Sequence, residues 1–282
     1  MGERPRHRLP EPRVVRADNA GLFTLDGTRS FLIGERTVAL IDPGPADPAH
    51  LEALEGALAG ATRGAILLTH RHPDHDAAAA PLARRTGLEL RPTPRAPLHE
   101  GEELPTDAGP LRVLHTPGHT RDHLSFVLGP GPVVFVGDLI LGEGTTTWVG
   151  EYAGCVADWL ASIEKLEALA PARIFPAHGP PIDDPAPRLA AFREHRLARI
   201  GQVEAALEAE RALRGVPSSV RLERLVDRVY GEALPPGLRE GARWSMRAIL
   251  EHLGVEPFPP EGAPTEGGGT VSEGGGEVPD EG

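Results

Sequence analysis

The stretch HRHPDH, residues 70–75, decides the interpretation of this sequence, because it places four side chains that can bind metal within six positions. Alternate residues of an extended segment point to the same side, so His70 and His72 suit a single ion. Asp74 and His75 follow where the chain is expected to turn into a helix, and they can face a second ion beside the first. The stretch therefore predicts a metal site.

The flanks of this stretch support the prediction. The apolar run Ala65–Thr69 is typical of a short buried strand, and apolar residues at helical spacing predict a helix over Asp76–Arg85. Pro81 is expected to shorten or kink that helix near its start. A strand that ends at the ligands gives them a rigid support, which a metal site requires.

Three later segments each end a predicted strand with one more potential ligand. HTPGHT, residues 115–120, exposes His119 on a Pro-Gly turn. VVFVGD, residues 133–138, ends at Asp138, and IFPAHG, residues 174–179, carries His178. Each segment alone is a weak signal, but their order along the chain is specific. His115 and His123 flank the second ligand turn, where support of the ligands and simple packing are equally compatible with the sequence.

The ordered motifs HXHXDH, GHT, GD and HG resemble those of the metallo-β-lactamase superfamily over about residues 14–200. The resemblance implies an α/β (α+β) fold, a four-layer αβ/βα sandwich with the metals at one edge of its two sheets. It also assigns the ligands. A first ion is expected at His70, His72 and His119, and a second ion at Asp74, His75 and His178, with Asp138 between the two.

The chemistry of this ligand set favours two zinc ions per chain, although iron or manganese would also fit. Two cations about 3.5–4 Å apart lower the pKa of a water between them to about 7, which makes hydroxide available at neutral pH. We therefore expect a hydrolase in which this bridging hydroxide attacks the substrate and Asp74 assists proton transfer as the catalytic carboxylate.

The segment after Asp138, together with the helical region beyond residue 187, resembles the β-lactamase-like protein 2 group. This resemblance implies a thioester or ester hydrolase that acts on a small-molecule or carrier-bound acyl substrate, or alternatively a single-stranded RNA endoribonuclease. A non-catalytic metal-binding interaction module is the third alternative. Seven ligands argue against this module, because a structural zinc ion needs only four donors.

Composition sets further limits. The net charge of −12 disfavours a strong electrostatic grip on nucleic acid, which normally needs a basic surface. No run of 18 apolar residues predicts a membrane span, and no apolar stretch follows the basic N-terminus, so we expect a cytoplasmic protein without a membrane partner. The single cysteine, Cys155, is expected to be a small buried residue.

Three regions are predicted along the chain. Residues 1–187 are expected to form the catalytic domain and residues 188–258 a small helical lobe, which the resemblance to the β-lactamase-like protein 2 group implies to be winged-helix-like. Residues 259–282 form an acidic, Gly-rich tail that is expected to be disordered, since it contains six acids and no base. The sequence gives no indication of the oligomeric state.

Overall fold

The structure, a computed structural model, describes residues 11–129, 131–210 and 218–255. The predicted tail, residues 259–282, lies outside the described residues. In chain order, the elements are β1 (Arg13–Arg16), β2 (Arg29–Ile33), β3 (Thr37–Ile41), α1 (Pro48–Leu58), β4 (Arg63–Leu67), α2 (Pro73–Asp76), α3 (Ala79–Thr86), β5 (Glu89–Arg91), β6 (Glu103–Leu104), β7 (Leu111–His115), β8 (Leu124–Leu128), β9 (Val133–Gly137), α4 (Cys155–Leu169), β10 (Arg173–Pro176), α5 (Pro185–Glu210), α6 (Ser218–Tyr230) and α7 (Pro236–His252).

Two mixed five-stranded sheets form the centre of the molecule. The first has the order β1-β2-β3-β4-β5, and the second has the order β10-β9-β8-β7-β6. In the first sheet β3, β4 and β5 run parallel, while in the second only β10 and β9 do. The carboxyl ends of β4, β9 and β10 lead into loops that carry predicted ligands.

Successive side chains of a strand point to opposite faces of the sheet, so alternate residues pack against different layers. In β2 and β3, Phe31 and Ile41 face the second sheet, whereas Leu32 and Leu40 face α1 and α3. The contact between the sheets includes Phe31 and Phe135, whose ring centroids lie 5.2 Å apart. α4 covers the far side of the second sheet. The four layers confirm the predicted sandwich.

The helical region packs on the same apolar core as α4. Phe192 of α5, Leu225 of α6 and Ile249 of α7 are buried together with Trp159 of α4. α5 begins at Pro185, so the domain boundary predicted after residue 187 lies within its first turn. The division into catalytic domain and lobe stays a prediction. None of the described helices combines the length and the apolar character that crossing a membrane requires.

The helix predicted over Asp76–Arg85 corresponds to α3, which begins only at Ala79 and is separated from the short α2 by a break at residues 77–78. Pro81 explains the break, because proline has no amide hydrogen to donate and is tolerated in the first turn of a helix. It is the third residue of α3. The short α2 thereby keeps a direction of its own, and its first turn carries two of the predicted ligands.

Candidate metal centre

The ends of four strands bring all seven predicted ligands to one edge of the two sheets. A short path from the sheet fixes the direction of each side chain, which is why strand ends can hold several donors around one point. β4 leads to His70, His72, Asp74 and His75, β7 leads to His119, β9 leads to Asp138, and β10 leads to His178.

Three imidazoles form a first cluster. The Nδ1 atom of His72 lies 3.0 Å from Nε2 of His70 and 3.0 Å from Nε2 of His119. Nδ1 of His70 donates to Oγ1 of Thr69 and Nδ1 of His119 donates to a backbone carbonyl, so Nε2 of each neutral ring is a lone pair. A proton on Nδ1 of His72 can serve only one of the two contacts, so at least one pair of nitrogens meets lone pair to lone pair. A shared cation removes that conflict, and three imidazole donors are typical of a zinc site.

The second cluster contains Asp74, His75 and His178. The Oδ2 atom of Asp74 lies 3.6 Å from Nε2 of His75 and 3.3 Å from Nε2 of His178. Both histidines are fully buried. Their Nε2 atoms have no hydrogen-bond partner, although buried polar atoms normally have one. The donors of this cluster therefore fit a second cation.

Asp138 lies between the two clusters. Its Oδ1 atom is 3.5 Å from Nε2 of His75 and 3.3 Å from Nε2 of His178, and its Oδ2 atom is 3.8 Å from Nε2 of His119. Oδ1 is also a buried atom without a hydrogen bond. One carboxylate can therefore contact both proposed ions.

Sequence reasoning missed Asp42, which follows β3 and is almost completely buried. Its Oδ2 atom accepts hydrogen bonds from Nδ1 of His75 at 3.0 Å and from Oγ1 of Thr69 at 2.6 Å, and Oγ1 of Thr69 accepts from Nδ1 of His70 at 3.0 Å. These bonds place the protons on Nδ1, so that Nε2 of both histidines faces the site as a lone pair. The aspartate in the Ile-Asp-Pro-Gly turn at residues 41–44 was the available signal.

The remaining ligand of the first cluster is oriented from another part of the chain. Nδ1 of His119 donates to the backbone carbonyl of Trp148 at 2.9 Å. The indole ring of Trp148 stacks on the ring of His72, with centroids 6.0 Å apart. Glu151 lies on the outer side of His72, with Oε1 3.6 Å from Nε2. Neither Trp148 nor Glu151 was identified from the sequence.

The two flanking histidines lie outside both clusters. His123 is buried, stacks on His70 with ring centroids 5.2 Å apart, and contacts Oγ1 of Thr116 through Nδ1 at 3.0 Å. His115 directs Nε2 toward the carbonyl of Leu98, 3.2 Å away. His123 therefore packs against the ligand candidate His70, whereas His115 contacts the backbone at Leu98.

The pKa values of buried histidines are shifted in opposite directions in the two clusters. Burial and the neighbouring His75 and His119 lower the pKa of His70 well below its usual value. Burial also lowers the pKa of His119. Burial opposes the charged form of His178 as well, but Asp138 outweighs it and raises the pKa of His178 to about 9. The carboxylates thus give the second cluster a strong affinity for positive charge.

Comparison with known proteins agrees with this geometry. The family model described as the metallo-beta-lactamase superfamily matches residues 23–95 and 88–178. An atrochrysone carboxyl ACP thioesterase from Cryptosporiopsis sp. (strain 8999) is 30% identical over 269 residues, which cover 89% of this chain and 78% of that protein. A beta-lactamase-like protein 2 homolog from Caenorhabditis elegans is 29% identical, over 83% of this chain and 81% of that protein.

The fold has counterparts among solved structures. A metallo-beta-lactamase family protein from Thermus thermophilus superposes with a TM-score of 0.62 at 25% identity, over 86% of this chain and 92% of that one. The sandwich, the order of the motifs and the convergence of their side chains therefore lead to one conclusion. This chain belongs to the metallo-β-lactamase superfamily of hydrolases.

Proposed function

We propose that this protein hydrolyses a thioester with the help of two zinc ions, one held by each cluster. The position of Asp138 carries the proposal, because its two carboxylate oxygens face different clusters, toward His119 on one side and toward His75 and His178 on the other. The thioester is inferred from relatives named as thioesterases of a carrier-bound acyl group, which share about 30% of their residues with this chain.

Zinc is proposed from the chemistry of the donors. Five imidazoles and two carboxylates suit zinc, while iron and manganese are the alternatives that the same donors accept. Two bound cations would supply a water whose pKa falls from about 15.7 to about 7, and would polarise the substrate carbonyl. The protein itself must orient the substrate and move the proton.

Asp74 is the proposed catalytic carboxylate. Burial opposes its ionisation, but His178, whose Nε2 lies 3.3 Å from Oδ2, and the charge of His75 lower the pKa of Asp74, so it is ionised at neutral pH. Its side chain is 29% exposed, whereas those of His75 and His178 are fully buried. It can accept a proton at the solvent side of the site. A thiolate needs little help in leaving, since thiols have a pKa of about 8.5.

Substrate can approach beside the first cluster. A cavity of 190 Å³ lies next to His72 and is also lined by Arg121 and Tyr152, with the Arg121 guanidinium 4.3 Å above the ring of Tyr152. The cavity offers both a polar wall and an aromatic wall. We propose that it receives the acyl thioester with its carbonyl directed toward Asp138.

Parallel turnover assays test this function. A panel of acyl thioesters, the matching oxygen esters and labelled single-stranded RNA would be offered to the zinc-loaded protein, after metal analysis that should give two zinc ions per chain. We expect thioester hydrolysis that falls at least about 100-fold in Asp74→Asn, because a direct ligand should exceed the 10–100-fold effect of residues behind the ligands.

Asp76→Asn is the matched control, because Asp76 lies on the same short helix and pairs with Arg71 instead, at 3.5 Å. It should keep its activity. RNA cleavage that disappears in Asp74→Asn, without thioester turnover, would replace the proposal with the endoribonuclease alternative. Binding of two ions without any turnover would favour the interaction module.

A further inference from the structure

The segment between β9 and α4, residues 138–154, connects the metal centre with the C-terminal helices. At one end it contains Asp138, and in its middle the carbonyl of Trp148 accepts the hydrogen bond from Nδ1 of His119. Oγ1 of Thr147 donates to the carbonyl of Asp138 at 2.9 Å, which closes the segment into a loop. The position of this loop therefore sets the orientation of His119.

Arg196 of α5 donates a hydrogen bond to the backbone of this loop. Its Nη2 atom donates to the carbonyl of Thr147 at 2.8 Å, one residue before the carbonyl that orients His119. Arg196 is only 5% exposed. Among the described residues, no carboxylate lies within ion-pair distance of its guanidinium, which is unusual because a buried charge without a paired partner is costly.

The same guanidinium supports His119 by a second route. It lies 5.1 Å from the ring of Trp159, which donates through Nε1 to the carbonyl of Leu139 at 2.9 Å. The backbone of Trp159 packs on Gly118, where an added Cβ would lie 2.5 Å from Cα of Trp159. Gly118 directly precedes His119, so both supports of this ligand meet at Arg196.

α7 contacts the far part of the loop. Gly150 packs so closely on α7 that an added Cβ would lie 2.8 Å from the carbonyl carbon of Trp244. The amide of Gly154 donates to Oε2 of Glu251 at 3.0 Å. Two helices of the C-terminal region thus contact a loop that the metal centre depends on.

We infer that Arg196 is a positioning residue for His119, and that through it the C-terminal helices set the affinity of the first cluster for its ion. This inference rests on the proposed function in one respect, namely that the first cluster binds a cation. It gives the helices a role within the hydrolase itself, whether or not they also contact a substrate or a partner.

Arg196→Met removes the charge and the donor but keeps an unbranched side chain of similar shape. Zinc affinity would be measured by competition with a chelator on the full-length protein. We expect one ion to bind about 10–100-fold more weakly, which is the usual effect of losing a group behind a ligand, and the other to change less than about threefold. Arg196→Lys, which keeps a donor, should lose less.

Arg193→Met is the matched control, because Arg193 lies on the same helix, is partly exposed and pairs with Glu167 at 3.1 Å. It should leave both affinities unchanged. A His119→Ala background identifies the affected ion. There, Arg196→Met should not weaken the remaining ion further, because the ligand that Arg196 positions is already gone.

Equal weakening of both ions, or a lower melting temperature with unchanged affinities, would overturn the inference and leave Arg196 with a purely structural role. If Arg196→Met does not fold, the same comparison with Arg196→Lys decides. Two tightly bound ions that are insensitive to Arg196 would refute this inference alone. A wild-type protein that binds no zinc would refute the proposed function as well.

Discussion

The two halves of the candidate metal centre differ in what holds their side chains in place. The second cluster contains a carboxylate of its own, borders Asp138, and is tied to the buried Asp42 through His75. The first cluster consists of imidazoles alone, and one of them, His119, is oriented by a backbone carbonyl 29 residues further along the chain.

This difference shows that one metal centre can be preorganised in two ways. Opposite charges draw the second cluster together even before a cation binds, as the raised pKa of His178 indicates. The imidazoles of the first cluster repel one another when protonated, so their arrangement depends on the surrounding fold. We expect perturbations of charge to affect the second cluster and perturbations of packing to affect the first.

The largest expected effect is that of Asp138→Asn, because the two carboxylate oxygens of Asp138 lie near the histidines of different clusters. Turnover should fall at least about 100-fold, and the affinity for both ions should fall, since the amide lacks the negative charge. Steady-state kinetics and metal analysis would measure this. Asp184→Asn, at an exposed position before α5, is the control. Full activity with two bound ions would show that the clusters do not depend on a shared carboxylate.

Asp42→Asn tests whether the second cluster depends on its buried partner. Asparagine tolerates the left-handed backbone conformation of this residue, where φ is 49°, so the backbone should persist. We expect the second ion to bind about 10–100-fold more weakly, and the first ion to be affected less, through Thr69 and His70. Chelator competition would measure both. A larger loss at the first ion would contradict the proposed asymmetry.

The two clusters should also differ in their pH dependence. His178 has a pKa of about 9 in the folded metal-free protein, against an ordinary value near 6.5. Its stabilising contribution is therefore complete below about pH 6.5 and is lost as the pH rises to about 9. Over the same interval the affinity for the second ion should rise, by up to about tenfold per pH unit, because the ion no longer displaces a proton.

The first cluster should behave differently in this interval. The lowered pKa values of His70 and His119 keep both rings neutral above about pH 6.5, so neither of these two rings has to lose a proton when the first ion binds. Denaturant unfolding of the metal-free protein and chelator competition at several pH values would test this. A metal-free protein that gains stability toward pH 9, or equal pH dependence for the two ions, would break the comparison.

The sequence determined the sandwich and the seven candidate ligands, whose side chains the structure brings together at its edge. Each ligand lies within a few residues of an apolar strand, so local pattern was enough to place it, as with HRHPDH after β4. Pro81 predicted that the helix after the ligands is shortened or kinked near its start, and α3 begins only two residues before this proline. The bounds of the short strands β1, β5 and β6 were not predicted, because they carry too few apolar residues to form a pattern.

Only the tertiary structure revealed the groups behind the ligands. Asp42, Trp148 and Arg196 act on residues that lie 33, 29 and 49 positions away along the chain, through a carboxylate, a backbone carbonyl and a guanidinium. Such contacts have no local periodicity, and a carbonyl acceptor leaves no trace in the identity of its residue. A sequence can therefore name the atoms that bind a metal, whereas the groups that orient them emerge only when distant segments are packed together.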